Sequence, residues 1–316
     1  MALPLVIVNP ASADGATRED WPKIASDLRT HFGPFSVEFT ESVGHARTLA
    51  SDAAKRGTKL IIACGGDGTI SEVANGIIDS GTETELGILP AGTGSDFRRS
   101  VGCPTNVAEA ARALRDGRVK TIDAVRIAFI NESGERETRY SINVASFGMS
   151  TEVLDRAASG EAKKWVPAST PRRVTSRLSY AAATVKTTFT ASPADVFVQI
   201  DDEQERRLRV AELCVANARY YGGAMKIAPD AKLDDGKFDV VTIGDATSFR
   251  LLTNAPRLYF GAHLSMSEVT HRLAKKLIAR PANKEKEVRV ELDGEVLGRL
   301  PATFEICPRA LRIRFP

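Results

Sequence analysis

The chain has 316 residues, 43% hydrophobic and 26% charged, with 43 Lys and Arg against 40 Asp and Glu for a net charge of +3. That length suffices for two ordinary domains with separate cores, and the composition is that of a soluble globular protein. A net charge so near zero, without zinc-finger spacing, a basic helical arm or an aromatic-rich RNA motif, excludes a dedicated nucleic-acid binder.

In chain order, residues 5–8 predict a strand, 18–32 an amphipathic helix, 36–40 a strand and 45–56 a helix. The apolar run 60–64 predicts a third strand, followed by the loop Gly65-Gly66-Asp67-Gly68-Thr69 and helical spacing over 70–78. A fourth strand over 86–90 leads into Gly92-Thr93-Gly94-Ser95 and then Asp96-Phe97-Arg98-Arg99. A helix over 107–114 stops near Gly117. Such alternation predicts a parallel sheet with helices on its faces, which binds ligands beyond the carboxyl ends of its strands. Both glycine loops belong there. Glycines at a strand-to-helix turn let backbone N–H groups close on an anion, and the helix N-terminus adds partial positive charge. Two such loops suggest one polyphosphate held from two sides, although a single glycine turn is more often only a tight turn. Neither of the best-known phosphate motifs matches. Ser71 stands where the third glycine of the dinucleotide fingerprint belongs, and no Gly-Lys-Ser or Gly-Lys-Thr sequence occurs.

From residue 125 the texture changes. Alternating strands over 125–131 and 137–144 flank Asn131-Glu132-Ser133-Gly134, a hairpin signal. Further strands are predicted over 195–200, 209–216, 238–243, 288–293 and 311–315, with helices over 174–189 and 248–260. The expected plan is an α/β nucleotide-binding domain over 1–125 and an antiparallel β-sandwich over 126–316. Between 155 and 177, six basic residues (Arg156, Lys163, Lys164, Arg172, Arg173, Arg177) stand against Asp155 and Glu161, a net +4 that includes Trp165. That segment reads either as a membrane-facing surface or as a solvated loop.

Four cysteines lie far apart, and Cys64 and Cys214 sit inside apolar runs as small core residues. The start of the chain lacks the charged region and cleavage site of a signal peptide, and no run of about 20 apolar residues occurs. A cytoplasmic protein with at most peripheral membrane contact is expected.

The two loops, in this order, resemble the diacylglycerol kinase catalytic family, which includes bacterial lipid kinases, sphingosine kinases and ceramide kinases and is distantly related to NAD kinases. Asn9-Pro10 is similar to the family's opening turn, and the first loop continues into Glu72 and Asn75-Gly76. Later segments that match are 143–148, 216–223, 228–230, Leu233-Asp234-Asp235-Gly236 and Asp293-Gly294-Glu295. Ser71 and Ser95 depart from the family, which usually has Asn at both positions.

The resemblance implies a two-domain lipid kinase that uses ATP and magnesium ion (Mg²⁺) to phosphorylate a hydroxyl of a membrane lipid, diacylglycerol by default. Phosphoryl transfer needs immobilised phosphates, a cation on their oxygens and a base for the attacking hydroxyl. The implied nucleotide contacts are Asn9, Thr40, Gly65, Gly66, Gly68, Thr69, Glu72, Gly92, Thr93, Gly94 and Asp96. Asp67 either orients Mg²⁺ through water or holds the loop. Glu295 is the implied general base and Asp293 its assistant, while without the family context an Asp-Gly pair is an ordinary hairpin turn. A structural Mg²⁺ is implied on the Asp235 carboxylate and the carbonyls of Lys232 and Lys237, against an ordinary Asp-rich turn. The implied partners are ATP, the lipid, an anionic membrane surface touched by Lys163, Lys164, Arg172 and Arg173, and a second copy in a homodimer. An NAD kinase-like enzyme and a non-catalytic nucleotide- or lipid-binding regulator of the same fold are the rival readings.

Overall fold

A computed structural model describes residues 3–91, 96–159, 187 and 192–316. The loop residues Gly92, Thr93, Gly94 and Ser95 lie outside the described residues. So do Lys163, Lys164, Trp165, Arg172, Arg173 and Arg177, and with them nearly all of the helix expected over 174–189. The chain divides into two compact units, Met1–Asp123 with Arg309–Pro316, and Ala124–Pro308. The expected second segment, 126–316, thus yields its last eight residues to the first unit.

In the first unit, strands β1 (Leu5–Val8), β2 (Ser36–Phe39), β3 (Leu60–Gly65) and β4 (Glu85–Pro90) alternate with α1 (Ala16–His31), α2 (His45–Lys55), α3 (Asp67–Ser80), α4 (Asp96–Ser100) and α5 (Val107–Asp116). All strand pairs are parallel, with β1 between β2 and β3, and β3 between β1 and β4. The end of the last strand of the chain joins the free side of β4, Arg312 opposite Glu85 and Ile313 opposite Leu86. β1 and β3 are buried along their whole length, as strands covered on both faces must be. Cys64 and Cys214 are both fully buried.

In the second unit, long strands change neighbours along their length. β5 (Arg118–Asn131), which starts seven residues earlier than the sequence pattern indicated, pairs with β6 (Arg136–Ser141) across the expected hairpin. The strand expected over 137–144 ends at Ser141, and β7 (Val144–Gly148) starts afresh and leads into α6 (Met149–Ala158). β8 (Ala194–Ile200) pairs with the first half of β9 (Arg206–Ala216), whose second half pairs with β7. β9 also pairs with β12 (Phe238–Gly244), beyond the short hairpin β10 (Tyr220–Tyr221) and β11 (Met225–Lys226). After α7 (Ser248–Phe260), β13 (Val269–Ala274) pairs with β12. β14 (Lys276–Pro281) joins β8 to the middle of β16 (Glu295–Phe315), and β15 (Arg289–Leu292) joins the start of β16 to β7. Every pair is antiparallel and the ladder β7-β9-β8-β14-β16-β15-β7 closes on itself, enclosing a core around Phe129, Phe147, Phe238 and Phe304. A smaller apolar cluster on the other face of β7, β9 and β12 takes in Ile227, Val241 and Leu258 of α7.

Candidate active site

Side chains tie together the carboxyl ends of β1, β3 and β4. The Asn9 amide donates to the Thr69 hydroxyl at 3.0 Å, and its backbone N–H donates to the Cys64 carbonyl at 3.0 Å. The Asn9 carbonyl of the side chain accepts from Ala11 N–H at 2.9 Å, shaping the turn into α1. From α1, the buried Thr17 hydroxyl donates to the Ala91 carbonyl at 2.7 Å, just past β4. Thr40, at the end of β2, donates its N–H to Val8 at 2.9 Å and so enters the same edge.

The first glycine loop is shaped by packing and not by positive φ. A Cβ on Gly65 would lie 2.4 Å from the Thr69 hydroxyl, so the α3 first turn can fold back over β3 only above a bare Cα. Gly66 is the N-cap of α3 in an extended conformation and supplies no side-chain cap. The helix thereby presents Gly68 and Thr69 on a first turn that Gly66 leaves without a side-chain cap, an anion-binding arrangement.

Asp67 fastens the start of α4 to the first glycine loop. Its carboxylate accepts the N–H groups of Asp96 at 2.9 Å and Phe97 at 3.1 Å, at the start of α4. These bonds join the first turn of α3 to the start of α4. Asp96 is buried and accepts from the Arg99 guanidinium at 2.5 Å. Glu72, an expected nucleotide contact, is engaged with the start of α2. Its two oxygens accept from Gly44 N–H at 2.8 Å and Ala46 N–H at 3.0 Å, closing the N-terminus of α2. Gly44, the N-cap there, has no side chain with which to do this.

In the second unit, Asp293 and Glu295 sit on one turn with Gly294, where Asp293 and Gly294 both have positive φ, 50° and 96°. Asp293 is buried, and its carboxylate accepts from the Ser141 hydroxyl at 2.5 Å, Asn143 N–H at 3.0 Å and Ile142 N–H at 3.2 Å. Those donors lie in the break between β6 and β7, where ladder pairing stops. The Asp293 oxygens thus anchor that break. Glu295, half-buried, opens β16 opposite Leu292.

A buried acid pair escaped the sequence reading. Glu291 accepts from Gly294 N–H at 2.7 Å and from the Ser146 hydroxyl at 2.5 Å. Ser146 and Ser150 hydroxyls lie 2.7 Å apart, and Ser150 N–H donates to Glu212 at 2.8 Å. Burial pushes Glu291 up to about 8 and Glu212 up to about 7, each above the ordinary carboxylate range. The available signal was an acid inside an otherwise continuous apolar strand, as in Val210-Ala211-Glu212-Leu213-Cys214.

The third group, Lys232, Asp235 and Lys237, lies on an exposed turn in which Asp235 accepts from Lys237 N–H at 3.1 Å. Among the described residues no three His, Cys, Asp or Glu side chains gather as a metal site, and no helix is long and apolar enough to cross a membrane.

Comparison with known proteins places this geometry. The model of the diacylglycerol kinase catalytic domain matches residues 4–127, and that of the YegS C-terminal NAD kinase beta sandwich-like domain matches residues 157–315. A protein of Mycobacterium tuberculosis named diacylglycerol kinase is 31% identical over 98% of this chain and 94% of its own. One of Staphylococcus saprophyticus with the same name is 29% identical over 95% and 90%. The crystal structure of a putative diacylglycerol kinase from Bacillus anthracis superposes with a TM-score of 0.73 at 25% identity, covering 99% of this chain and 97% of that one. With both family models in chain order and a relative above 30% identity end to end, the chain belongs to the diacylglycerol kinase catalytic family.

Proposed function

We propose that this chain is an ATP- and Mg²⁺-dependent lipid kinase of the cytoplasm, transferring the γ-phosphate to a hydroxyl of diacylglycerol to give phosphatidic acid. The observation that carries the reading is the set of three strand-to-helix turns bound together by Asn9–Thr69, Thr17–Ala91 and Asp67–Asp96. Such a cluster at the carboxyl ends of parallel strands suits a polyphosphate. Asn9, Thr40, Gly65, Gly66, Gly68 and Thr69 are assigned to it, with Asp96 supporting from α4. Gly92, Thr93 and Gly94 complete the nucleotide site in this reading.

Glu295 is assigned as general base, taking the proton of the lipid hydroxyl as its oxygen attacks phosphorus. Asp293 and Glu291 fix the turn that presents it, through the 141–143 segment and the Gly294 N–H. The 232–237 turn fits a structural Mg²⁺ in kind. It offers hard oxygens only, one carboxylate on Asp235 and the carbonyls of Lys232 and Lys237, in an exposed place where the ion keeps waters. Bound Mg²⁺ supplies charge neutralisation and rigidity there. Relatives named diacylglycerol kinase support the lipid as acceptor.

The test is transfer of labelled γ-phosphate from ATP, with Mg²⁺, to a panel of lipid alcohols in mixed micelles, with NAD alongside. Label on diacylglycerol is expected, and Glu295→Gln should lower kcat by about 10²-fold or more. Label on NAD alone, or an unchanged kcat in Glu295→Gln, would sink the corresponding assignment.

A further inference from the structure

Helix α7 carries an exposed aromatic stripe that the fold of its own unit does not use. Phe249 is 73% exposed and Phe260 81%, with Tyr259 at 48%. At 100° per residue, positions 249, 253, 256 and 260 fall on one line along the helix. That line reads Phe, Thr, Pro, Phe. Thr253 donates its hydroxyl to the Phe249 carbonyl at 2.9 Å, so the one polar group in the stripe is satisfied within the helix. The opposite side packs inward, Leu258 joining the apolar cluster on β7, β9 and β12. A surface helix ordinarily carries charge on its outer face; here the outer face is aromatic.

The charge carried by α7 itself has one sign. α7 contains Arg250 and Arg257 and no acidic residue, and the two arginines fall one position further round from Phe249 and Pro256. Arg250 pairs with Glu268 of the following turn, while Arg257 is exposed and has no ion-pair partner among the described residues. Aromatic side chains flanked by arginine are the composition of helices that lie in a headgroup plane. A second copy of the chain is a poorer occupant. A two-fold contact through this stripe would bury Arg257 of both copies with no acidic residue of α7 to pair it.

We propose that α7 is a membrane-docking helix that lies in the interface of an anionic bilayer, with Phe249, Pro256 and Phe260 at the acyl boundary and Arg257 among lipid phosphates. The purpose of such docking rests on the lipid-kinase reading above; the binding itself does not. The enzyme would thereby meet its acceptor without extracting it from the bilayer.

The experiment is co-flotation of the full chain with vesicles of phosphatidylcholine containing one-third phosphatidylglycerol, and with vesicles of phosphatidylcholine alone, without ATP. The wild type is expected to bind the anionic vesicles preferentially. Phe249→Ala/Phe260→Ala should weaken that binding about tenfold, with unchanged circular dichroism and melting temperature. Arg257→Gln should weaken it less and flatten its dependence on salt. Equal binding by the double variant, or equal binding to neutral vesicles, overturns the proposal. So does sedimentation in which the double variant dissociates a wild-type dimer while vesicle binding stays unchanged. Turnover of a short-chain diacylglycerol dispersed as monomers separates the two readings. It should be equal in wild type and double variant, and its absence in both would count against the kinase and leave the docking result standing.

Discussion

At the scale of single residues, the carboxylates of each unit divide by what they hold. Asp67 closes the start of α4 with two backbone bonds, the work of an N-cap supplied from a different helix. Asp67→Asn keeps one good acceptor and removes a negative charge from a helix N-terminus. It should cost about 1 kcal/mol of stability and raise KM for ATP severalfold with little change in kcat. Thermal melts and initial-rate kinetics would check this, and an unchanged KM would detach Asp67 from the nucleotide site. Glu291 and Glu212 behave differently, because hydroxyls and amides are their partners and burial holds on to their protons. Their folded pKa values, about 8 and about 7, lie above the unfolded value near 4.5. Between those limits the native state binds more protons than the unfolded one, so stability is full below about pH 4.5 and declines as pH rises towards 8. Glu291→Gln keeps an acceptor for Gly294 N–H and turns an amide N–H towards the Ser146 hydroxyl, which can accept it, without the titration. At pH 8 it should melt higher than wild type by several degrees, roughly 2 kcal/mol, and at pH 5 nearly level with it. Melting curves that run parallel across that range would refute the protonated pair.

At the scale of elements, the packing of α2 on α3 decides the shape of the first unit's site. A Cβ on Gly76 would lie 2.2 Å from the Arg47 carbonyl and 2.8 Å from the Ala50 Cβ. The two helices therefore touch backbone to backbone, α2 facing α3 with Ala46, Ala50, Ala53 and Ala54, all buried. Gly76→Ala gains up to about 1 kcal/mol of helix propensity, but the contact is with backbone and cannot yield by a rotamer change. The clash should win, for a net loss of about 2 kcal/mol visible in denaturant unfolding; a stabilised variant would show that the helices separate freely. Gly76 was legible in the sequence as a family position, and the reason for it was not, since helix-to-helix distance leaves no periodic trace. The same limit explains Glu72. The family resemblance marked it as a nucleotide contact, and its closing of the bare N-cap of α2, across 28 residues of chain, leaves no local pattern. Strand and helix identity, by contrast, was largely written in local pattern: β1 to β4 and α1 to α3 match the expected spans within a few residues. β13 and β14 went unread because their outward faces are rich in charge, as in His271-Arg272-Leu273, which masks the period of two.

At the scale of the whole molecule, the chain leaves the first unit at residue 123 and returns to it at 309. The sequence reading found the strand over 311–315 and assigned it to the second unit, because a strand's pattern records burial and not which neighbour it pairs with. In the structure Leu311 and Ile313 are buried, Arg312 and Arg314 pair with Glu85, and Arg309 N–H donates to Asp123 at 2.7 Å. Lys120 lies 4.9 Å from the centre of the Phe315 ring. Removing 309–316 would strip β4 of one of its two parallel neighbours and expose the N–H and C=O groups along that edge. The two buried side chains alone are worth roughly 3–6 kcal/mol, a large share of the 5–15 kcal/mol typical of a folded protein. A fragment of residues 1–123 should therefore unfold at lower denaturant than the same unit in the intact chain, and aggregate on concentration. Adding a peptide of residues 309–316 in trans should restore part of that stability, in proportion to peptide concentration. Should the fragment match the intact chain without the peptide, the returning strand would be an ornament of the first unit and the site's turns would owe it nothing.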